Sequence, residues 1–226
     1  MARTATYTLR ALACLLRYPD PGLREHLAEL GEALRTERAL DAARLDELDR
    51  LIERLGARDA FTVEAEYVEM FDRGRRTALN LFEHVHGDSR DRGAAMVDLM
   101  QTYERAGLVM AEGELPDHLP AVLEFASTQP PATARAFLGE TAHIVRVIFS
   151  ALRERQSPYA SVLAAVLELA GERAEPVSLP PEPALDDEWA EPEAFGGCST
   201  QGQARADQPQ PIHIVRPAAA AARRAA

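Results

Sequence analysis

QPPATARAFLGETAHIVRVIFSAL, Gln129–Leu152, is the stretch that decides the fold class. QPPATARAF opens a helix, and Phe137, Ile144, Val145, Ile148 and Leu152 then recur with helical period as one buried stripe. A half-buried strand would alternate apolar and polar residues, and no such alternation of useful length occurs anywhere in residues 1–170.

The neighbours on both sides read the same way. Ser157–Pro158 looks like an N-cap with the favoured first-turn proline, opening a helix through Val162, Leu163, Val166 and Leu169 to Gly171. Upstream, Pro116 and Asp117 start a helix holding Leu119, Val122, Leu123 and Phe125. Asp88 or Ser89 caps a longer one with Met96, Met100 and Tyr103 inward, Val97 and Leu99 flanking, and a stop at Gly107. A short helix with Leu79, Phe82 and Val85 precedes it and ends at Gly87. Another runs from Asp59 to Phe71 with Val63, Tyr67 and Phe71 inward and Met70 beside them, before Gly74 interrupts. Asp41 caps a helix carrying Leu45, Leu48, Ile52 and Leu55, which Gly56 stops. Leu23, Leu27, Leu30 and Leu34 mark a helix after the break at YPDPG, and Leu9, Leu12 and Leu16 mark the first. The expected fold is all-α, one helical-bundle domain of about eight or nine helices over residues 1–170, with no internal repeat.

After Gly171 proline, acids, Gly, Gln and an alanine run take over, too little apolar surface to offset chain entropy. Residues 171–226 are expected to be largely disordered. Two islands could dock: LDDEWAEPEAFGGC at 185–198, with Trp189 and Phe195, and the segment 211–215 within QPIHIV.

Net charge is -11 with a pI near 5.1. A nucleic-acid binder needs a basic face to displace counterions from phosphates, so that class is excluded. An acidic protein matches a basic peptide, or simply stays soluble. Cys14 and Cys198 stand alone and far apart, which fits a reducing compartment and no disulfide framework. No run approaches the ~18 apolar residues of a membrane span. The apolar run Ala11–Leu16 is short and flanked by Arg10 and Arg17, unlike a secretory signal.

Chemistry, if present, should lie in FDRGRRTALNLFEHVHGDSRDRG, Phe71–Gly93. His84, His86 and Asp88, with Asp91 near, invite the alternative of a metal-dependent helical enzyme. Histidines at i, i+2 point roughly 200° apart on a helix, however, and helical zinc motifs use i, i+4 spacing. A helix C-terminus followed by the capped start of the next explains the same residues. Asp117-His118, flanked by Glu114 and Glu124, could be an acid–base pair, but a cap and its first-turn residue is the commoner arrangement. No nucleophile elbow and no phosphate loop is present. Met96 and Met100 at i, i+4 are expected to fill core.

YVEMFDRGRRTALNLFEHVHGDSRDRGAAMVDLMQTYERAGL, Tyr67–Leu108, followed by ELPDHLPAVLEF, Glu114–Phe125, resembles the nitrate reductase molybdenum cofactor assembly chaperones. These are the respiratory nitrate reductase delta subunits, a branch of the redox-enzyme maturation proteins. YVEMFDRG stands in the place of the wider family's Tyr-x-x-Leu-Phe-x-Gly pattern, with Met70 for leucine. ELPDHL resembles its Glu-Pro-x-Asp-His segment with the proline shifted by one, and FEHVHGDSRDRG points to the nitrate reductase branch. DDEWAEPEAFGGC looks like the family's C-terminal part.

The resemblance implies a cytoplasmic, non-catalytic, all-helical chaperone without a cofactor of its own. It would bind the nitrate reductase catalytic (alpha) subunit in its cofactor-free form, notably the N-terminal peptide. It would keep that subunit competent for insertion of the bis-molybdopterin guanine dinucleotide cofactor and hold back membrane attachment, with no membrane insertion of its own. The expected client-binding residues are Tyr67, Phe71, Glu83, His84, His86, Asp117, His118 and Glu124.

Overall fold

A computed structural model describes residues 4–87, 89 and 91–179 of the chain. Among them ten α-helices follow in order: α1 (Thr6–Leu15), α2 (Pro21–Glu25), α3 (Leu27–Glu37), α4 (Ala42–Ala57), α5 (Ala60–Tyr67), α6 (Glu83–His86), α7 (Asp91–Arg105), α8 (Leu119–Thr128), α9 (Pro131–Glu154) and α10 (Ala160–Ala170). A π-turn over Val68–Asp72 prolongs α5, and a 3-10 turn follows over Arg75–Thr77. The extended pairing among the described residues is one isolated antiparallel bridge, Asn80 with His118. The all-α expectation holds. The count rises because the expected second helix breaks at His26 into α2 and α3.

The sequence of α10, ASVLAAVLELA, has almost no polar face, and such a helix must be buried on every side. Every residue from Ala160 to Leu167 is buried, and α10 packs against α9, α4 and α1. The α9 stripe lies against it as expected at Ile144, Val145, Ile148 and Leu152, while Phe137 is only half-buried and Leu138 is fully inside. α1 fills the space between α8, α3 and α10 with Leu9, Leu12, Leu15 and Leu16.

Acidic caps set several helix starts. Asp41 accepts from the Arg44 N–H at 2.8 Å, Asp59 from that of Thr62 at 3.0 Å, and Asp20 from that of Leu23 at 2.7 Å. Each satisfies a backbone donor that the first helical turn leaves without a partner. Gly171 ends α10 in the left-handed region at φ 86°, which glycine adopts freely.

Five expectations need correction. Gly56 does not stop α4, which runs to Ala57 and buries Leu51 as well as Leu48 and Leu55. Ser157 is not a cap: α10 begins at Ala160 behind Tyr159, and the Ser157 hydroxyl makes no bond to it. α8 starts at Leu119 rather than Pro116, with Pro120 in its first turn. Leu79–Phe82 is not helical, because this segment pairs with Asp117–Leu119. Leu81 N–H donates to the Asp117 carbonyl at 3.0 Å, and Leu119 N–H to that of Leu79 at 2.9 Å. The fifth concerns α7, where only Tyr103 is buried; Met100 is 37% and Val97 46% exposed.

Past Gly171 the chain stays beside α9 for a few residues. Arg146 pairs with Glu172 at 2.7 Å, and Val177 N–H donates to the Ser150 hydroxyl at 2.9 Å. The docking segments expected at 185–198 and 211–215 lie outside the described residues. No helix among the described residues is long and apolar enough to cross a membrane.

Candidate functional site

Tyr67–Phe71 and Asp117–His118, distant in sequence, are brought together by a clip of backbone. Tyr67 and Phe71 form its floor. Both are buried, and the Tyr67 hydroxyl donates to the Leu16 carbonyl at 2.8 Å. Their rings meet at 4.8 Å, and Tyr159 stands edge-on to Phe71 at 5.0 Å. Burial pushes the Tyr67 phenol far above its ordinary range, so it stays protonated. Neither side chain is free surface.

The π-turn that follows Tyr67 is held by a glycine and a threonine. Arg73 N–H donates to the Val68 carbonyl at 3.1 Å, the i→i+5 bond of a π-turn. Buried Thr77 donates its hydroxyl to the Met70 carbonyl. Gly74 passes so close that a Cβ there would lie 2.8 Å from the Met70 oxygen and 2.7 Å from the Arg155 guanidinium. Gly74→Ala is therefore expected to cost about 1–3 kcal/mol by overpacking, read as a lowered urea midpoint with an unchanged m-value.

Asp117 locks the other side. It is wholly buried, and its Oδ2 accepts from the Phe82 N–H at 3.0 Å, with the Arg92 guanidinium 3.9 Å away. Arg92 also donates to Glu83 Oε1 at 3.0 Å, and the Asn80 amide donates to the same oxygen at 3.2 Å. Asp117 thus ties the 80–82 segment, α6 and the first turn of α7 together.

His84 and His86 diverge, as their spacing predicts. His84 Nε2–H donates to the Ala78 carbonyl at 2.8 Å, whereas the His86 ring stands edge-on to Phe82 at 5.8 Å. No group of three His, Cys, Asp or Glu side chains among the described residues could hold a metal ion. Asp88 lies outside the described residues.

A notch of about 400 Å³ opens above the clip, lined by Tyr67, Phe71, Gly74, Asn80, Glu83 and His118. Burial lowers the His118 pKa below its ordinary 6.5; Asp117 opposes that shift, Arg17 adds to it and Glu114 opposes it. The imidazole is consequently neutral at pH 7. A depressed folded-state pKa means that the unfolded chain takes up the proton first as pH falls. Stability contributed by neutral His118 should be complete above pH ~6.5 and be lost between there and its lowered folded value. Denaturation from pH 7.5 to 5 should show that slope, and His118→Gln should flatten it.

Glu124 is not part of this notch. It pairs with Arg17 at 2.8 Å, beside Glu114 at 3.7 Å from the same guanidinium. The two glutamates border a separate hollow of about 380 Å³ walled by Cys14, Tyr103, Val109 and Phe125. Of the expected binding residues, Tyr67, Phe71, Glu83 and His118 share the notch, Asp117 and His84 brace it, and His86 and Glu124 do not line it. Asn80, Gly74 and Arg92 do structural work at the clip that spacing alone did not reveal.

The model of the family described as nitrate reductase delta subunit matches residues 18–165, which contain the whole clip. The chain belongs to that family. Among its relatives, the nitrate reductase molybdenum cofactor assembly chaperone NarJ of Escherichia coli (strain K12) is 43% identical over 156 residues. That alignment covers 69% of this chain and 66% of the relative, so just under two thirds of that protein is matched. A Bacillus subtilis (strain 168) protein described as "Probable nitrate reductase molybdenum cofactor assembly chaperone NarJ" is 35% identical over 172 residues, covering 74% of this chain and 91% of the relative. A crystal structure of an Archaeoglobus fulgidus protein assigned to redox enzyme maturation superimposes with a TM-score of 0.51 at 20% identity, over 74% of this chain and 94% of the other. At that identity the match speaks to the fold, and it agrees with the helical architecture described above for this chain.

Proposed function

We propose that this protein is a cytoplasmic, non-catalytic assembly chaperone for a nitrate reductase. It binds the catalytic molybdenum subunit in its cofactor-free form, including the N-terminal peptide. Binding keeps that subunit open to molybdenum cofactor insertion and ahead of membrane attachment.

The observation that carries this proposal is how the family's signature is used. Its residues build a notch and brace it, with Asp117, Glu83 and His84 each committed to hydrogen bonds within the clip. A general acid or base needs a proton-transfer partner within reach of substrate, and these groups already serve backbone and neighbouring side chains. A pre-formed recess with fixed polar edges suits recognition of a polypeptide segment. The chaperone names of the Escherichia coli and Bacillus subtilis relatives support the choice of client.

The test is the molybdenum content of nitrate reductase purified from cells lacking this gene, measured by plasma mass spectrometry. Molybdenum well below one atom per catalytic subunit, restored by supplying the gene, is the expected result. Fully loaded enzyme in its absence rejects the proposal.

A further inference from the structure

One hollow of about 750 Å³, between α4, the end of α9 and the start of α10, gathers Arg44, Arg50, Arg54 and Arg153 against the single acid Glu47. The chain as a whole carries a net charge of -11, so this is a local reversal of sign. Arg44 is taken up by Glu47 and Glu168, and Arg54 by Glu66 at 3.1 Å. Arg50 and Arg153 make no ion pair or hydrogen bond among the described residues. α9 ends and α10 begins at this rim, so their dipoles oppose each other and the guanidinium groups set the sign.

Arg54, Gln156, Ser157 and Pro158 also border a second hollow of about 740 Å³. Its other walls include Tyr18, Leu55, Val63, Tyr159 and Phe61, which is 78% exposed. Ser157 and Tyr159 are 7% and 5% exposed, and neither hydroxyl has a hydrogen-bond partner among the described residues. Uncommitted positive charge, apolar surface and unsatisfied hydroxyls therefore meet at one shared wall.

The chain itself leads there. Beyond α10 it turns back along α9: Glu172 meets Arg146, and Val177 reaches Ser150, one turn nearer the end of that helix. Ala174 already lines the arginine hollow. Arg153 lies about 5 Å further along the α9 axis than Ser150. Two or three residues, at up to ~3.5 Å each, cover that distance. The sequence that follows, PPEPALDDEWAEPEAF at 180–195, holds the acids Glu182, Asp186, Asp187, Glu188, Glu191 and Glu193 and no basic residue.

We propose that the 185–198 segment of this same chain docks on these two hollows. Asp186, Asp187 and Glu188 pair with Arg50 and Arg153, and Trp189 enters the apolar hollow beside Phe61, its indole N–H at the wall that carries the Ser157 hydroxyl. Exposed ion pairs of this kind are individually weak. The few residues between Leu179 and Asp186 offset that weakness, because a short tether holds the segment at high local concentration. The docked tail is a strap across α4, α9 and α10, and it is independent of the client assignment above.

Trp189 is the only tryptophan, so fluorescence of the full chain tests this directly. Its emission should be blue-shifted from that of the urea-unfolded chain, and acrylamide should quench it about threefold less. Arg50→Gln with Arg153→Gln should return both readings towards the unfolded values while circular dichroism stays unchanged, since neither arginine holds the described fold together. Asp186→Asn with Asp187→Asn and Glu188→Gln should do the same from the tail side, and added salt should act in that direction. A tryptophan as exposed in the unaltered chain as in urea overturns the proposal, and so does a blue shift that neither set of variants changes. A blue shift lost on dilution also overturns it, because a second copy then supplies the tail.

Discussion

Asp117→Leu lowers stability by about 2–4 kcal/mol, one of the two largest effects expected in this chain. The aspartate is wholly buried, and its carboxylate is the acceptor for the Phe82 N–H. Leucine fills the volume and leaves that donor buried without a partner, along with a guanidinium that loses its nearest buried anion. Arg92 keeps Glu83 at 3.0 Å, which holds the loss below that of a fully stranded charge. For a domain of this size the change corresponds to a fall of roughly 4–16 °C in Tm. Asp117→Asn retains an acceptor for Phe82 and should lose about 1 kcal/mol. Urea titrations of the two variants check this, and equal stability of leucine and asparagine would mean that the hydrogen bond does not hold the clip.

The second large effect is at Tyr67. Tyr67→Ala removes a ring packed against Phe71, Tyr159 and Tyr18 and should cost about 3–5 kcal/mol. Tyr67→Phe keeps the ring and loses only the bond to the Leu16 carbonyl, about 1 kcal/mol. The contrast separates a role in folding from a role in contact. A client-binding defect that follows the melting temperature across Ala and Phe belongs to the fold. One that appears in Tyr67→Phe at nearly unchanged stability belongs to the notch.

Where one helix face alone decides burial, the pattern was legible. Val63, Tyr67 and Phe71 are inward, the Asp41 cap forms, and Ile144, Val145, Ile148 and Leu152 line α9 as spacing predicts. α7 defeated the same logic because periodicity reports which side of a helix is apolar, not whether the domain covers that side. Leu79–Phe82 failed for a different reason. Its apolar residues suit a helix equally well, and only the distant Asp117–Leu119 segment provides the backbone partners that draw it into extended pairing. The clip was invisible for that reason too: Asp117 and Phe82 are 35 residues apart, and nothing local links them. The diverging histidines could be read directly, since their i, i+2 spacing leaves little freedom on a helix.

The central claim is that this chain recognises a nitrate reductase catalytic subunit before its cofactor is in place. Affinity capture with the purified full-length protein, offered the cofactor-free subunit and the finished enzyme side by side, tests it most directly. The expected result is a complex with the cofactor-free subunit that the finished enzyme does not form. Capture of neither, or equal capture of both, would contradict it.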